Sequence, residues 1–440
     1  MSAVEEWNFV QVQEIASKAK YSFMDGDWIE APYITNEGIR LIQTGNIGIG
    51  MFVDKNKKFI SETSFQKLKC KDVYTGDILI CRLADPIGRS CVVPDLQSRS
   101  ITSVDVCILR INDDAFDRDF VAHALNQKDF LDACQKQAAG STRQRISRTN
   151  LGKLKLRVPK SKLEQTKIAE VLSTVDLAIE QIDALIAKQQ RIKTGLMQDL
   201  FSQGIDEHGN RRSEETHQFK DSPLGRIPLE WETATIGELA IHVGSGITPR
   251  GGESVYTNEG ILFIRSQNVH FSGLALDDVA YIPQTIHKSM LKSEVFENDV
   301  LLNITGASIG RCCYFSSIGS ANVNQHVCVI RLPSATEADA GFLSSVIESS
   351  IGQNQILQFN AGGNREGLNY KQIKSFVVPW PKRDERRQIW DVLKWASESV
   401  RYSEKMKSKL CSLKTALMQD LLTGKKCVAV FLNEKEVANV

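Results

Sequence analysis

The strongest local concentration of charge in the chain lies between Ser141 and Leu163, where eight lysines and arginines occur with no acidic residue. Lysine and arginine neutralise phosphates, and arginine and glutamine can hydrogen-bond to base edges. The run begins in a Gly-Ser-Thr loop whose small residues allow close backbone approach. The pattern favours a DNA-contacting loop, although a solvated loop and strand is the usual alternative for a charge run. The candidate side chains are Arg143, Gln144, Arg145 and Arg148.

Two further sets of polar side chains directly follow β-like runs, one set in each half of the chain. Amides and guanidinium groups distinguish adenine and guanine in the major groove, so these sets are candidate base contacts. Ordinary hydrogen bonding within loops explains them equally well. Arginine or asparagine in two glycine-rich loops adds further candidates. The complete additional set is Gln43, Asn46, Arg250, Arg265, Gln267, Asn268, Asn364 and Arg365.

Motifs of common enzymes are absent from the sequence. There is no phosphate-binding G-x-x-x-x-G-K-[ST] loop, no H-E-x-x-H and no G-x-S-x-G. An Asn-Pro-Pro-aromatic run, which amino-methyltransferases place beside a target base, is also missing. The ten cysteines form no C-x-x-C pair and no zinc-like group with histidine. We therefore predict no catalytic residue, no metal site and no cofactor bound by this chain.

Bulk composition indicates an ordinary globular protein rather than a membrane or secreted one. The 440 residues carry a net charge of +1, so any basic surface is local. No apolar run reaches the roughly 18 residues that span a bilayer, and the N-terminus does not resemble a signal peptide. Cysteines in apolar runs suit a reducing compartment. We expect a cytoplasmic protein with no membrane partner.

The chain contains an internal repeat of more than 200 residues. Thr194–Leu200 returns 221 residues later as Thr415–Leu421, with six of seven positions identical. An Ile-Gly-Arg motif at Ile87–Arg89 also returns, as Ile309–Arg311. This period is too long for a solenoid or a propeller, so it indicates two copies of a whole domain with the segment that follows it.

Each half reads as a mixed domain followed by a long helix. Strand-like runs are Ile39–Ile42, Asp77–Cys81, Val104–Leu109, Ile261–Ile264, Asp299–Leu302 and His326–Ile330. Residues 118–137 and 338–357 have helical patterns. The polar segment between the halves has the composition of an exposed linker. The predicted division is a first domain (1–160), a first helix (161–203), a linker (204–221), a second domain (222–381), a second helix (382–424) and a tail (425–440).

Steps of four and three residues along both helical segments land mainly on apolar residues, which is typical of a heptad seam. We expect the two helices to pack antiparallel, giving an α+β protein with two tandem mixed domains, a long helical spacer and pseudo-two-fold symmetry. Packing of each helix on its own domain, or in a homodimer, is the alternative. The seam residues are Ile168, Leu172, Val175, Ile179, Ile182, Ile186, Ile389, Leu393, Val400, Leu410 and Leu417.

A series of short motifs in the second half resembles the target-recognition domain of type I restriction-modification specificity subunits. Single motifs are weak, but their order and the looser first-half copies are specific. The resemblance covers the chain from about Trp7 to Gly424, including both Leu-Met-Gln-Asp-Leu helix endings. The second-half motifs are Gly246–Pro249, Arg265–Val269, Ser308–Arg311, Asn322–His326 and Gly363–Leu368.

The resemblance implies a non-catalytic subunit in which each domain reads one half of a split, asymmetric target in double-stranded DNA. It also implies that the helices set the gap between half-sites and dock two methyltransferase subunits, which are joined by translocase-nuclease subunits in the restricting complex. S-adenosylmethionine, ATP and Mg²⁺ would then be bound by the partners. A free-standing DNA-binding regulator is the alternative function, and a coiled-coil scaffold without DNA contacts is a third.

Overall fold

The computed structural model describes residues 7–83, 85–316, 319–360, 367–426 and 428. They form two compact units: unit 1 is drawn from residues 1–181 and 407–440, and unit 2 is residues 182–406. Both boundaries fall within long helices, so each unit contains one end of each helix. The predicted domains and helices follow one another in chain order, whereas each compact unit combines one globular domain with one end of each long helix.

In its described residues, unit 1 has ten strands, five short α-helices and parts of two long ones. Its strands are β1 (Trp7–Gln11), β2 (Phe23–Asp25), β3 (Ile34–Thr35), β4 (Ile39–Ile42), β5 (Lys58–Ile60), β6 (Ile78–Cys81), β7 (Ser90–Val92), β8 (Ser100–Thr102), β9 (Val106–Leu109) and β10 (Lys155–Pro159). Its helices are α1 (Val12–Ile15), α2 (Glu62–Leu68), α3 (Arg118–Leu125), α4 (Lys128–Lys136), α5 (Arg148–Lys153) and the start of α6 (Lys162–Ser202).

The core of unit 1 lies on both faces of an antiparallel sheet of order β2-β9-β6-β7. Side chains alternate between the faces of a strand. Ile78 and Ile80 of β6 therefore join the cluster that contains α3 and α4, while Leu79 and Cys81 join a cluster on the other face. A second sheet has the order β3-β5-β4-β8, with β4 and β8 parallel, and β1 pairs with β10 just before α6.

Unit 2 repeats this plan. Its strands are β11 (Phe219–Ser222), β12 (Gly225–Pro228), β13 (Glu232–Thr235), β14 (His242–Ser245), β15 (Ile261–Ile264), β16 (Val269–His270), β17 (Gly273–Leu274), β18 (Ala280–Ile282), β19 (Glu294–Val295), β20 (Val300–Asn303), β21 (Cys312–Tyr314), β22 (Ala321–Val323), β23 (Val327–Arg331) and β24 (Val377–Trp380). Its helices are α7 (Ile236–Leu239), α8 (Gln284–Ser289), α9 (Glu337–Glu348), α10 (Ser350–Asn360), α11 (Tyr370–Lys374) and the start of α12 (Arg383–Leu421).

One four-stranded sheet of unit 2 matches its counterpart in unit 1 strand for strand, and the central strands of the second sheet correspond as well. The sheet β14-β23-β20-β21 corresponds to β2-β9-β6-β7, and the parallel pair β15 and β22 corresponds to β4 and β8. The strand that follows Trp231, β13, pairs with β24 just before α12, as β1 pairs with β10. The sequence repeat is therefore a repeat of fold.

The long helices α6 and α12 are antiparallel within each unit. In unit 1, Ile168 and Leu172 near the start of α6 share a cluster with Leu421 at the end of α12, and Lys414 lies 2.5 Å from Asp176. In unit 2, Phe201 near the end of α6 shares a cluster with the first turns of α12. All eleven predicted seam residues are buried or half-buried. The predicted fold class is confirmed.

Two helices that the periodicity predicts as continuous are each broken in two. The 118–137 segment divides into α3 and α4 at Asn126, whose side-chain amide donates to the carbonyls of Ser90 and Ala122. The 338–357 segment divides into α9 and α10 at Ser349, whose hydroxyl donates to the carbonyl of Val346. In both cases a polar side chain bonds the last turn of the first helix, which a search for apolar spacing cannot detect.

The predicted exposed linker is partly buried. Glu385 near the start of α12 accepts hydrogen bonds from the backbone amide of Ile205 at 2.9 Å, from Arg212 at 2.5 Å and from the indole nitrogen of Trp231 at 3.0 Å. Ile205 and Arg212 are both buried. The polar composition of the segment gave no sign of this burial, because the buried guanidinium of Arg212 is paired with the carboxylate of Glu385.

Candidate nucleic-acid interface

The turn of residues 43–46 in unit 1 is held from inside by Asn46. Its Oδ1 accepts a hydrogen bond from the amide of Gln43 at 2.9 Å, and its Nδ2 donates to the carbonyls of Val53 at 2.9 Å and Lys55 at 2.8 Å. Asn46 is buried, so these bonds occupy its donors and fix the backbone of the turn. Gln43, at the end of β4, is half-buried and lines a cleft.

The turn of residues 265–268 in unit 2 is built in the same way. Asn268 is buried, and its Oδ1 accepts from the amide of Arg265 at 3.0 Å. Its Nδ2 donates to the carbonyls of Ala275 at 2.9 Å and Asp278 at 3.0 Å. Gln43 and Arg265 therefore occupy equivalent positions, one residue after equivalent strands, and they differ in chemistry.

In each unit, a second buried side chain donates hydrogen bonds to backbone carbonyls in or next to the turn. Neither of these side chains was predicted from the sequence. In unit 1, buried Arg89 donates from Nε to the carbonyl of Ile47 at 2.7 Å and from Nη2 to that of Thr44 at 3.0 Å. In unit 2, buried Asn303 donates from Nδ2 to the carbonyl of Ser266 at 2.7 Å. For Arg89 the repeated Ile-Gly-Arg motif was the available signal, whereas Asn303 lies outside that motif.

Glycine is required in this motif by its backbone conformation. Gly88 has a φ of +92°, which side-chain-bearing residues rarely adopt, and a Cβ there would lie 2.5 Å from the sulfur of Cys134. Gly310 has a φ of +87° and faces Gln353 in the same way. The left-handed residue turns the chain sharply before Arg89, which lets that side chain reach under the 43–46 turn.

The 43–46 turn borders a cleft of about 640 Å³ in unit 1. Among its lining residues, Trp28, Lys55 and Lys58 are exposed. An indole face can stack on a base and two ammonium groups can pair with phosphates, so the cleft has the chemistry to receive DNA. The lining residues are Asp27, Trp28, Ile29, Gln43, Thr44, Gly45, Asn46, Lys55, Asn56, Lys58, Ser103, Val104 and Asp105.

The basic loop of unit 1 borders the same cleft. Arg145 lies with Nε 3.2 Å from a carboxylate oxygen of Asp105, and its Nη2 donates to the carbonyl of Val104 at 3.1 Å. Both of those partners line the cleft. Arg145 is thus engaged in holding the loop, whereas Arg143, Gln144 and Arg148 are exposed. Two sets of predicted residues that are about 100 positions apart in sequence meet at one place.

The 265–268 turn of unit 2 carries a small charged cluster. Arg265 donates from Nη2 to the backbone carbonyl of Asp278 at 3.0 Å, and the same nitrogen lies 3.6 Å from the Asp278 carboxylate. Gln267 donates from Nε2 to that carboxylate at 2.7 Å. The guanidinium lies over the ring of Tyr256, 5.8 Å from its centroid, and burial raises the pKa of the Tyr256 hydroxyl. The phenol is therefore neutral at neutral pH.

A polar network occupies the part of unit 2 that corresponds to the loop of Arg145. Nδ1 of His326 and the hydroxyl of Thr305 lie 2.6 Å apart, and Thr248 donates to Gln325. Thr305 pairs with Gly367 as Leu83 pairs with Arg145, so Gly367 occupies the place in unit 2 that Arg145 has in unit 1. Arg250 is exposed in the turn after β14. Asn364 and Arg365, two of the predicted contacts, lie outside the described residues.

Across residues 7–83, 85–316, 319–360, 367–426 and 428, no cluster of three or more histidine, cysteine or acidic side chains has the arrangement of a metal site. In the same ranges, no helix has the length and hydropathy to cross a bilayer.

The chain matches the model of the family described as "Type I restriction modification DNA specificity domain" over residues 4–189 and 228–410. The two matched stretches cover most of the chain and coincide with the two repeats. The protein belongs to this family: it is a non-catalytic, DNA sequence-specificity subunit of the type I restriction-modification class. The function inferred from the sequence and the absence of enzymatic activity are thereby confirmed, and nothing favours the alternative of a free-standing regulator.

Similar proteins agree with this assignment. A putative type I restriction enzyme MjaX specificity subunit of Methanocaldococcus jannaschii is 24% identical over 361 residues, which cover 80% of this chain and 78% of that protein. The MjaVIII specificity subunit of the same organism is 22% identical, covering 82% of each chain. The crystal structure of a type I restriction-modification S subunit from M. genitalium shares the fold, with a TM-score of 0.61, 18% identity, and coverage of 94% of this chain and 96% of that one.

Proposed function

We propose that each unit reads one half of a bipartite, asymmetric DNA target through the turn at residues 43–46 or 265–268. One observation carries the proposal: the same buried asparagine fixes the same turn in both units, while the side chain that the turn presents changes from Gln43 to Arg265. A shared frame with exchangeable side chains is what recognition of two unlike half-sites needs.

The remaining predicted contacts then divide by role. Asn46, Asn268 and Arg145 act as positioning residues because their polar atoms are engaged within the protein. Arg143, Gln144, Arg148 and Arg250 are exposed and would contact phosphates or base edges. Gln43, Arg265 and Gln267 would read bases.

The long helices would set the gap between half-sites and dock two methyltransferase subunits. Support for docking comes from large apolar side chains that remain exposed on these helices. In unit 2, Trp395 and Tyr402 of α12 are each 68% exposed and lie seven residues apart, hence on one helix face. Exposed aromatic residues in a row are typical of protein interfaces. S-adenosylmethionine, ATP and Mg²⁺ would be bound by the methyltransferase and translocase-nuclease partners.

Genome-wide mapping of methylated adenines tests this function. The chain would be co-expressed with the methyltransferase of its own restriction-modification system, in cells that lack other adenine methylation. We expect a methylated motif in two parts separated by unread bases, and its disappearance when the gene for this chain is deleted. A contiguous motif, or a bipartite motif that persists without this chain, would contradict the proposal.

A further inference from the structure

An acidic side chain lies beside the base-reading candidates of unit 2, where a polyanion is expected to bind. Asp278 has 86% of its side chain exposed, and it lies next to both Arg265 and Gln267. A carboxylate facing phosphates repels them, so an acid at this place is unfavourable unless it meets a hydrogen-bond donor of the DNA. In the major groove the exocyclic amino groups are such donors, and aspartate accepts from N4 of cytosine.

We propose that Arg265 and Asp278 together read one G·C base pair in the half-site bound by unit 2, an inference that rests on the function proposed above. Arg265 would donate to O6 and N7 of the guanine, and Asp278 would accept from N4 of the cytosine. The two acceptors and the donor lie side by side on the edge of that pair. The two side chains are also side by side, with Nη2 of Arg265 3.6 Å from Oδ1 of Asp278.

Arg265 and Asp278 each retain a polar atom that is not fully hydrogen-bonded within the protein. Gln267 occupies Oδ2 of Asp278 at 2.7 Å, and Oδ1 is left facing the guanidinium at a distance beyond a normal hydrogen bond. Nη2 of Arg265 bonds the backbone carbonyl of Asp278, and Nε is buried with no hydrogen-bond partner among the described residues. An arginine with an unmet donor gains from a change of orientation that brings it to new acceptors.

The equivalent loop of unit 1 shows that the fold does not require an acid here. The carbonyl of Lys55 accepts from Asn46 as the carbonyl of Asp278 accepts from Asn268. The backbone carbonyl accepts the same hydrogen bond in both units, while the side chain changes from the cation of Lys55 to the anion of Asp278. Because only the side chain differs, the charge at this position is free to follow the base that each unit reads.

Base preference at single positions tests the inference. The purified complex of this chain with its methyltransferase would be assayed for methyl transfer to duplexes in which each base pair of the second half-site is replaced in turn. Wild type should require a G·C pair at one unmethylated position. Asp278→Ala should lower discrimination at that position by about tenfold or more, and leave the first half-site unchanged. Arg265→Lys, which retains the charge and loses the two-pronged contact, should relax the same position.

Asp277→Ala removes the neighbouring exposed acid and is the matched control, for which every preference should stay as in wild type. The inference is overturned if the two variants relax different positions. It is also overturned if they slow methylation of all duplexes equally with preferences intact, since that result indicates a structural role only. A wild-type target without a G·C pair in that half-site overturns it as well, whereas absence of any bipartite target would overturn the proposed function itself.

Discussion

Asn46 of unit 1 and Asn268 of unit 2 occupy equivalent places and make equivalent hydrogen bonds. Each accepts from the amide three residues before it and donates to two carbonyls of the following loop, at 2.8–2.9 Å for Asn46 and 2.9–3.0 Å for Asn268. The backbone bonds of the two turns agree as well, since the amides of Asn46 and Asn268 each donate to the carbonyl three residues earlier at 2.8 Å. The side chains proposed to read bases therefore depend on a residue whose polar groups bond within the protein.

Asn268→Asp should destabilise unit 2 and disable its half-site. A carboxylate cannot donate to the carbonyls of Ala275 and Asp278, and it places a buried negative charge beside them. We expect the free energy of unfolding to fall by about 1–3 kcal/mol, measured by chemical denaturation. Asn258→Asp, at an exposed position of the same unit, is the control and should change it little. If Asn268→Asp and wild type have equal free energies of unfolding, Asn268 does not stabilise the turn as predicted.

Trp395→Ala combined with Tyr402→Ala should weaken binding of the methyltransferase without unfolding the chain. Both side chains are largely exposed, so their loss costs little stability, while exposed aromatic anchors commonly contribute about 2 kcal/mol or more to an interface. The expected change is a dissociation constant raised by about thirtyfold or more, measured by titration of the purified subunits. Phe9→Ala, at a 70% exposed aromatic outside the long helices, is the matched control. An unchanged affinity would exclude this face as the docking surface.

The sequence predicted the long helices and the central strands well because their apolar spacing is a property of each segment alone. It could not predict that Glu385 would hold Ile205, Arg212 and Trp231, because those bonds join residues more than 150 positions apart. It identified Asn46 and Asn268 as candidates and left base contact and loop hydrogen bonding equally open, since residue type does not reveal whether an amide faces inward. Arg89 was missed although it belongs to the repeated Ile-Gly-Arg motif, and Asn303 was missed because nothing local marks a buried asparagine as a supporting residue.

Acid should loosen the attachment of α12 to α9 through Asp339. Burial acts to raise the pKa of this carboxyl, but hydrogen bonds from Thr336 and Arg386 outweigh it and lower the pKa to about 2. A depressed pKa stabilises the fold above the unfolded value near 4, and the contribution is lost as pH falls toward 2.

We therefore expect the stability advantage of wild type over Asp339→Asn to shrink by about 1 kcal/mol between pH 5 and pH 3. Urea denaturation at the two pH values measures it. Asp384→Asn, an exposed neighbour on α12, should show no such narrowing. An advantage that stays constant or grows on acidification would contradict the assignment of the pKa shift to the folded state.

Lengthening α6 should widen the gap between half-sites. Four residues inserted after Lys188 advance the helix by about 6 Å and slightly more than one turn, so its faces are nearly preserved. The unread gap should grow by one or two base pairs at about 3.4 Å each, with the bases of both half-sites unchanged. Methylated-motif mapping in cells that make the methyltransferase provides the measurement.

The control is the same insertion after Gly209, an exposed turn residue between α6 and β11, which leaves helix length unchanged. The unread gap between the half-sites of this control variant should equal that of wild type. An active helix insertion with an unaltered gap would rule out a role for α6 as a ruler.

Replacement of residues 222–381 by the second domain of another family member tests the central claim most directly. The replaced segment includes the 265–268 turn and leaves the 43–46 turn intact. The methylated motif of the hybrid, mapped in cells that contain the partner methyltransferase, should keep the wild-type first half-site and acquire a new second half-site. A motif in which both halves change, or an active hybrid in which neither changes, would contradict separate reading of the two half-sites.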